Sequence, residues 1–362
     1  MPTVDVALTD HRYAVRVEHG LLGQVGAILA EHGLAGKKVS VISDSNVAAL
    51  HAPVVMDSLT AVKQAASLHV VPAGEGSKAM TVVENVCREM ILAGHDRSSS
   101  VIALGGGVVG DLAGFIASIF YRGLPLVQIP TTIVSQVDSS VGGKTGVNTP
   151  EGKNLIGSFH QPRMVLVDPE TLKTLPPRAF REGFAEAIKH AAIRDAEMLE
   201  MISQLDPNEL AVPVDLLARN LAIKARIVEA DEFETGNIRA LLNFGHTIGH
   251  GIEASVAYGK LLHGEAVALG MRAALWLSEQ HAGLSRPESQ RVLDAMHHFG
   301  LPLLLDSEIT TETIMEKLSR DKKFSAGAIR FVVLEKLGHA VVIDHLTAAD
   351  LCAAIEHIRL PL

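Results

Sequence analysis

The chain has 362 residues, of which 48% are hydrophobic and 20% charged, and its formal net charge is -9. This length predicts about two domains with full cores, and the negative charge argues against a general attraction to nucleic acid or acidic membrane surfaces. The two cysteines, Cys87 and Cys352, lie far apart in helix-like segments, which argues against a disulfide framework or a thiolate zinc site. The N-terminal stretch is acidic rather than apolar, and no run of about 18 uncharged apolar residues is present, so we expect a soluble protein of the cytoplasm.

The first half of the chain alternates strand-like and helix-like patterns. Two alternating runs, at residues 3–8 and 13–18, predict a pair of antiparallel strands. Continuous apolar runs follow in KVSVISD, LHVVPAG, SSVIALGGG, PLVQIPTT and RMVLVDP, with helical patterns such as VVENVCREMILAG between several of them. Buried strands that alternate with helices predict a Rossmann-like α/β domain with a mostly parallel sheet.

Beyond Pro177 the strand pattern gives way to long segments rich in Ala, Leu, Ile and Glu. We therefore place a domain boundary there, with residues 1–177 as an α/β domain and residues 178–362 as a mainly α-helical domain. Residues 329–344 are the exception, because their pattern predicts a small hairpin attached to the helical domain.

A glycine-rich turn follows the strand SSVIAL. Gly105, Gly107 and Gly110 satisfy the pattern G-x-G-x-x-G and precede the helical LAGFIASIF. Such glycines permit close backbone approach to a pyrophosphate at a helix N-terminus, but the same pattern also occurs as a plain strand-to-helix connection. The turn lies in the middle of the predicted sheet rather than in the first βα turn, which departs from the ordinary dinucleotide fingerprint.

Further polar residues lie at the carboxyl ends of predicted strands, where open α/β sheets bind ligands. Asp44 follows the first buried strand, where a carboxylate can hold a ribose or cap the next helix. Glu75 and Lys78 in PAGEGSK, and the hydroxyls of Thr131 and Thr132, follow two other strands. These residues are candidates for nucleotide binding.

The stretch QVDSSVGGKTGVNTPEGKN, residues 136–154, predicts a long glycine-rich loop that carries two lysines. Loops of this length in compact domains are usually functional or disordered. Other cations in special settings are Arg122, Lys189, Arg239 and the pair Lys322 and Lys323. If several of these cations converge, they would form a pocket for an anionic substrate such as a phosphate or a carboxylate.

The stretch LNFGHTIGHGIE places His246 and His250 on one face of a predicted helix. The residue after His246 is threonine, so this is not the H-E-x-x-H of a metalloprotease. Other candidate ligands are His190, His263 and Glu186, a carboxylate in apolar surroundings that needs a metal or a lysine as partner. Two histidines and one carboxylate would leave an open coordination position, as in catalytic zinc sites, but spacing alone does not decide which two histidines act.

Together these motifs resemble those of the 3-dehydroquinate synthase family of sugar phosphate cyclases. The most specific are QVDSSVGGKTGVN, GHTIGH and HGEAVALGM in this order, and the resemblance extends from PAGEGSK at residues 72–78 to DKK at residues 321–323. It implies an N-terminal NAD-binding α/β domain, a C-terminal helical domain and an active site in the cleft between them.

The resemblance also implies roles for individual residues. A zinc or cobalt ion would be held by Glu186, His246 and His263, and His250 would be the acid/base residue on the substrate side. Cofactor contacts would come from Asp44, Asn46, Glu75, Lys78, Gly106, Gly107, Val108, Asp111, Thr131, Thr132, Asp138, Ser139, Lys144, Lys153, Thr174 and Leu175. Substrate contacts would come from Arg122, Asp138, Lys144, Lys153, Asn154, Lys189, Arg239, Asn243 and one lysine of DKK, where Lys322 is favoured over Lys323.

The implied reaction converts 3-deoxy-D-arabino-heptulosonate 7-phosphate to 3-dehydroquinate and phosphate, a carbon–oxygen lyase step of the shikimate pathway toward chorismate and the aromatic amino acids. It would proceed by transient NAD-dependent oxidation, phosphate elimination, reduction and intramolecular aldol closure. A homodimer is also implied. Three alternatives are another cyclase such as 2-epi-5-epi-valiolone synthase or 2-deoxy-scyllo-inosose synthase, an oxidoreductase of the glycerol dehydrogenase type, and a non-enzymatic nucleotide-binding module.

Overall fold

The computed structural model describes residues 2–34, 36–257, 259–319 and 329–362. The chain divides into two compact units: residues 1–175 with 210–229, and residues 176–209 with 230–362. The domain limits 1–177 and 178–362 stay a prediction, and the helical segment 210–229 is part of the first unit. No helix among the described residues combines the length and apolar character that spanning a bilayer requires.

The first unit is built on a seven-stranded sheet with helices. Its strands, together with those of a separate hairpin, are β1 (Thr3–Ala7), β2 (Arg12–Val17), β3 (Val39–Asp44), β4 (Ala66–Val71), β5 (Ser100–Gly105), β6 (Leu126–Pro130), β7 (Lys144–Thr149), β8 (Gly152–Phe159) and β9 (Met164–Val167). The strand order of the large sheet is β1-β2-β9-β6-β5-β3-β4. Only β1 and β2 pair antiparallel in it, and the other pairs are parallel. The predicted Rossmann-like α/β class is confirmed.

Two apolar cores cover the two faces of this sheet. The helices of this unit are α1 (Val25–Glu31), α2 (Ser45–Ala61), α3 (Met80–Leu92), α4 (Gly107–Ile119) and, from later in the chain, α7 (Val214–Ala230). Helices α1 and α2 pack on one face, where Val41 points, and α3 and α4 pack on the other face, where Ile42 points. Successive strand residues alternate between the faces, so continuous apolar runs are what a sheet covered on both sides requires.

The glycine-rich stretch 136–154 differs from the predicted loop in its second half. It enters the antiparallel hairpin of β7 and β8, in which Gly146 pairs with Gly157. A Cβ on Gly157 would lie 2.2 Å from the carbonyl oxygen of Thr145, so this glycine serves close strand approach rather than flexibility. Loop was the wrong interpretation because glycine in a strand mimics the composition of a loop.

The second unit is mainly helical, as predicted. Its elements are α5 (Pro177–Arg194), α6 (Met198–Ser203), α8 (His246–Glu253), α9 (His263–His281), α10 (Arg286–His298), α11 (Thr311–Ser319), β10 (Ile329–Lys336), β11 (His339–Leu346) and α12 (Ala348–His357), with a 3₁₀ segment at Arg239–Asn243. Strands β10 and β11 form the expected antiparallel hairpin. Helix α9 is buried along most of its length, so it forms the centre of this unit.

Helix α8, which carries two of the candidate histidines, lies against α9 through glycines. A Cβ on Gly270 of α9 would lie 1.9 Å from the carbonyl oxygen of Gly245, and a Cβ on Gly249 would lie 2.9 Å from that of Ala266. Gly245 is the N-cap of α8, with φ 79°. Its backbone angle and the crowding around Gly249 both explain why glycine stands at these positions.

We predict that Gly270→Ala lowers the free energy of unfolding by at least about 2 kcal/mol, because the added methyl overlaps the backbone of α8. The measurement is the urea midpoint followed by far-UV circular dichroism. The matched control is Gly23→Ala, since a Cβ on this exposed glycine would meet no heavy atom within 4 Å. Equal midpoints for the two variants would contradict the close packing of α8 on α9.

Candidate active site

In the first unit, the cofactor candidates lie at the carboxyl ends of five neighbouring parallel strands. Asp44 ends β3, Glu75 follows β4, Gly106 follows β5, Thr131 follows β6, and Thr174 lies in the 3₁₀ segment after β9. Because these strands are adjacent in the order β9-β6-β5-β3-β4, their carboxyl ends share one edge of the sheet. Ligands of open α/β sheets bind at this edge.

Asp44 and Thr174 already have protein partners. The Asp44 carboxylate accepts hydrogen bonds from the backbone N–H groups of Asn46 and Val47 and so caps α2. The Thr174 hydroxyl is 2.9 Å from Nε2 of His51, and Leu175 follows it at the end of the 3₁₀ segment. Of the two roles considered for Asp44, the structure shows the helix cap. The ribose contact stays a prediction.

The glycine turn brings several predicted residues together. Gly106 is the N-cap of α4, with Gly107 and Val108 in the first turn. A Cβ on Gly106 would lie 3.1 Å from the Thr132 methyl carbon, and a Cβ on Gly107 would lie 3.1 Å from the Ser139 hydroxyl. The turn therefore combines the first N–H groups of a helix with close neighbouring hydroxyls, an arrangement suited to a phosphate group.

Lys78 is the centre of a buried polar network in the first unit. Its side chain is 4% exposed, and its Nζ donates to Oδ2 of Asp111 at 2.7 Å and to Oδ1 of Asn154 at 2.5 Å. Oε1 of Glu75 is 3.6 Å away. Burial raises the pKa of Asp111, and the Lys78 ammonium opposes that shift. Four predicted residues from three separate motifs therefore form one network.

Asn148, at the end region of β7, is a member of this network that the sequence reasoning missed. Its Nδ2 donates to Oε1 of Glu75 at 2.8 Å, and its Oδ1 accepts from the backbone N–H of Asn154 at 2.9 Å. Asn154 has φ 55°, a conformation that asparagine tolerates better than most residues. Its position within TGVNT was the only signal in the sequence.

Asp138 pairs with Lys224 of α7, a second residue that the sequence reasoning missed. The distance between Nζ of Lys224 and Oδ1 of Asp138 is 2.6 Å, and the lysine side chain is 8% exposed. Helical spacing was the available signal, because Lys224 lies three and four residues from Leu221 and Asn220, which are buried. Lysine on a buried helix face needs an anionic partner.

The remaining basic candidates of the first unit lie on its surface. Arg122, Lys144 and Lys153 are exposed, and Arg122 has φ 71° in the 3₁₀ segment after α4. Exposed cations can be reached by an anionic ligand from solvent. Lys322 and Lys323 lie outside the described residues.

In the second unit, Glu186 on α5 lies at the centre of a cluster of cationic and imidazole groups. Its side chain is fully buried, and Oε1 is 3.3 Å from Nε2 of both His246 and His263. The other oxygen, Oε2, forms an ion pair with Lys189, which is 1% exposed. Burial opposes ionisation of Glu186, but Lys189 and the two histidines hold its pKa well below the usual range.

The pKa values of the two histidines of this cluster are shifted in opposite directions. Burial and the Lys189 ammonium lower the pKa of His246. Burial also disfavours the charged form of His263, but the hydrogen bonds that its ring donates to Glu186 and Glu253 outweigh it and raise its pKa to about 10. Nδ1 of His263 is 3.7 Å from Oε2 of Glu253, so a second carboxylate lies on the far side of this ring.

His250 lies one turn after His246 on α8, and its environment is different. It is exposed, whereas His246 is buried, and the two rings are 5.2 Å apart. His250 also approaches His263 and Glu253 closely enough that these three could hold an ion. The described residues thus offer two candidate sets in this unit, and Glu186, His246 and His263 form the more buried one.

The distances in this more buried set suit a tetrahedral metal ion. Ligand atoms at about 2.0 Å from zinc, at tetrahedral angles, are about 3.3 Å from one another. Both separations from Oε1 of Glu186 have this value. Two imidazoles and one carboxylate leave a fourth position open to a water or a substrate oxygen, which is the donor set of a catalytic zinc site.

Two other predicted residues of the second unit lie in the segment before α8. Arg239 is buried, its backbone N–H donates to Asp231 at 3.1 Å, and its guanidinium donates to the backbone carbonyl of Glu232. Asn243 ends the 3₁₀ segment and is half-buried. Asp231 therefore anchors the loop that carries both residues.

Comparisons with known proteins agree with this architecture. A family model described as 3-dehydroquinate synthase N-terminal matches residues 68–182, and one described as 3-dehydroquinate synthase C-terminal matches residues 183–324. A 3-dehydroquinate synthase of Pelobacter propionicus is 47% identical over 289 residues, which are 79% of this chain and 80% of that protein. Another, of Symbiobacterium thermophilum, is 41% identical over 358 residues, which are 97% of this chain and 99% of that protein.

Solved structures show the same fold. The structure of 2-epi-5-epi-valiolone synthase from Streptomyces hygroscopicus subsp. jinggangensis, with NAD+ and Zn2+ bound, has a TM-score of 0.88 at 30% identity, and the match covers 97% of this chain and 98% of that one. A 2-deoxy-scyllo-inosose synthase reaches 0.85 at 23% identity, with coverage of 98% and 99%, which shows the fold alone. With both family models matched and relatives above 40% identity, the chain belongs to the 3-dehydroquinate synthase family.

Proposed function

We propose that the chain converts 3-deoxy-D-arabino-heptulosonate 7-phosphate to 3-dehydroquinate and phosphate, with NAD at the strand ends of the first unit and a divalent metal on Glu186, His246 and His263. The observation that carries the metal assignment is the pair of 3.3 Å separations from Oε1 of Glu186 to the two imidazole nitrogens. The related valiolone synthase, solved with NAD+ and Zn2+ bound, supports zinc as the ion and NAD as the cofactor.

The residues of the second unit would have separate roles in the reaction. When bound, NAD supplies reversible hydride transfer and the metal supplies a Lewis acid that polarises a hydroxyl. Lys189 stabilises the ionised carboxylate of Glu186 through Oε2, and Oε1 lies toward the two histidines. His250 is exposed beside His246 and is not a member of the proposed set Glu186, His246 and His263, so its imidazole would exchange a proton with a substrate.

The residues of the first unit would bind and orient. Lys78, in the turn after β4, is hydrogen-bonded to Asp111 and to the hairpin residue Asn154. These bonds hold the turn after β4 at a fixed distance from Asn154 and from its neighbour Lys153. The exposed cations Arg122, Lys144 and Lys153 would contact the phosphate and carboxylate of the substrate. Their contribution is orientation, since correct placement of the reacting groups lowers the barrier without further chemistry.

The alternative is that the chain is a different sugar phosphate cyclase, because a solved valiolone synthase is 30% identical over nearly the whole chain. The 3-dehydroquinate synthases are 41–47% identical, and Lys153, Asn154, Arg239 and Asn243 keep the pattern of that family. The heptulosonate phosphate carries a carboxylate, so an assay can distinguish the two activities by testing whether the enzyme needs a carboxylate on its substrate.

We predict that the protein, with the heptulosonate phosphate, zinc and a trace of NAD+, releases many phosphates per NAD without lasting NADH. The reason is that hydride returns to the substrate within each cycle. Free phosphate and absorbance at the NADH wavelength are followed together. A heptulose 7-phosphate that lacks the carboxylate is the control substrate. Conversion of the added NAD+ to lasting NADH without phosphate release would support an oxidoreductase instead, and preference for the control substrate would support another cyclase.

His246→Ala is predicted to lose the metal, whereas His250→Ala keeps the metal and loses turnover. The physical reason is that Nε2 of His246 is 3.3 Å from Oε1 of Glu186, while His250 is exposed one turn away. Phosphate release, and the metal content that remains after dialysis, are measured on both variants. Each variant is the control for the other, because both substitutions remove a histidine from the same helix. Two metal-free variants, or a metal-free His250→Ala alone, would show that the ligand set is wrong.

On the family resemblance we also propose that the protein is a cytoplasmic homodimer. Light scattering after size-exclusion chromatography is expected to give twice the 38.5 kDa mass of the chain. A mass of one chain across micromolar concentrations would rule the dimer out.

A further inference from the structure

Side chains on one face of α5 bind the first turn of α9. Arg178, Glu182 and Glu186 follow one another at intervals of four residues and so share this face. Each of them contacts a different residue of the first turn of α9, namely Glu265, Gly264 and His263. The proposed ligand Glu186 is thus the last of three successive links between these two helices.

Glu182 forms the middle link. Its Oε2 accepts a hydrogen bond from the backbone N–H of Gly264 at 2.7 Å. The first N–H groups of a helix have no partner within the helix and carry partial positive charge, so a carboxylate there is favourable. The bonded N–H belongs to the peptide unit that joins His263 to Gly264, and Glu182 therefore holds the backbone of a proposed metal ligand.

The close approach at this link requires glycine at position 264. A Cβ there would lie 2.0 Å from the backbone oxygen of Glu182 and 2.6 Å from its Oε2. No side chain could be accommodated without separating α5 from α9. The crossing thus fixes the distance between the backbones that carry Glu186 and His263, and with it the separation of their donor atoms.

The outer link adds a second restraint on the same turn. Nε and Nη2 of Arg178 each donate to one oxygen of Glu265 at 2.7 Å. Oε2 of Glu265 also accepts from the backbone N–H of Leu262 at 2.8 Å. Arg178 is more than half exposed, so this pair contributes less than the half-buried bond of Glu182, because exposed ion pairs are weak.

We propose that Glu182 is a positioning residue for the metal site, because it fixes the start of α9 and thereby directs His263 toward Glu186. This role rests on the proposed metal site of Glu186, His246 and His263. Metal ligands must lie within a few tenths of an ångström of their ideal separation, and partners that orient ligands typically change metal affinity by about 10–100-fold when removed.

The test measures Co2+ and Zn2+ affinity of the metal-free protein by competition with a chromophoric chelator, together with the visible absorption spectrum of bound Co2+. Glu182→Ala is expected to weaken both affinities by about 10–100-fold and to change the Co2+ spectrum. Glu182→Gln keeps an oxygen that can accept from Gly264, so its affinity is expected near the wild-type value. If Glu182→Ala fails to fold, Glu182→Asp replaces it, because the shorter side chain withdraws the carboxylate from the N–H group.

Glu288→Ala is the matched control. Glu288 also accepts from a backbone N–H group at the start of a helix, that of Ser285, and from that of Leu337 in the turn between β10 and β11. Neither partner is a candidate ligand. Wild-type affinity and spectrum in Glu182→Ala would overturn the proposal, as would equal losses in Glu182→Ala and Glu288→Ala. If metal binding by the wild type does not depend on His246, the proposed metal site itself fails, which is a separate outcome.

Discussion

The second unit depends on the burial of one carboxylate. Glu186 is fully buried on α5, and a buried charge persists only when nearby groups compensate the loss of water. Lys189 from the same helix, His246 from α8 and His263 from α9 supply this compensation. Three helices must therefore meet at one point, and the glycines at their crossings are the means by which they come close enough.

The first unit follows a different constraint, which is the sharing of one sheet edge by five parallel strands. Each strand end contributes one or two polar residues, and Lys78 connects residues from three separate segments. Membership of the 3-dehydroquinate synthase family makes the chain a phosphate-eliminating lyase. The reversible redox step of that reaction would use the strand-end residues, while the cations and the metal cluster would act on the substrate.

Much of the fold could be predicted from the sequence, because strands that are buried on both faces are uninterrupted apolar runs. Helices have a different hydrophobic pattern, so the two kinds of element could be told apart. Spacing alone did not give the ligand set, since it offered four histidines. The family resemblance named Glu186, His246 and His263, and the tertiary structure brings Glu186 to these two histidines. Lys224 was missed because a lysine within a helix is normally solvated. The hairpin of β7 and β8 was read as a loop because its glycines, which permit strand contact, are also typical of loops.

X-ray absorption at the zinc edge of the purified, zinc-loaded protein tests the central claim most directly. We predict scattering from two imidazole nitrogens and further oxygen or nitrogen atoms at about 2.0–2.1 Å, with no sulfur, and loss of the bound zinc in His263→Ala. The result that would contradict it is a spectrum with one or no imidazole, or one that His263→Ala leaves unchanged.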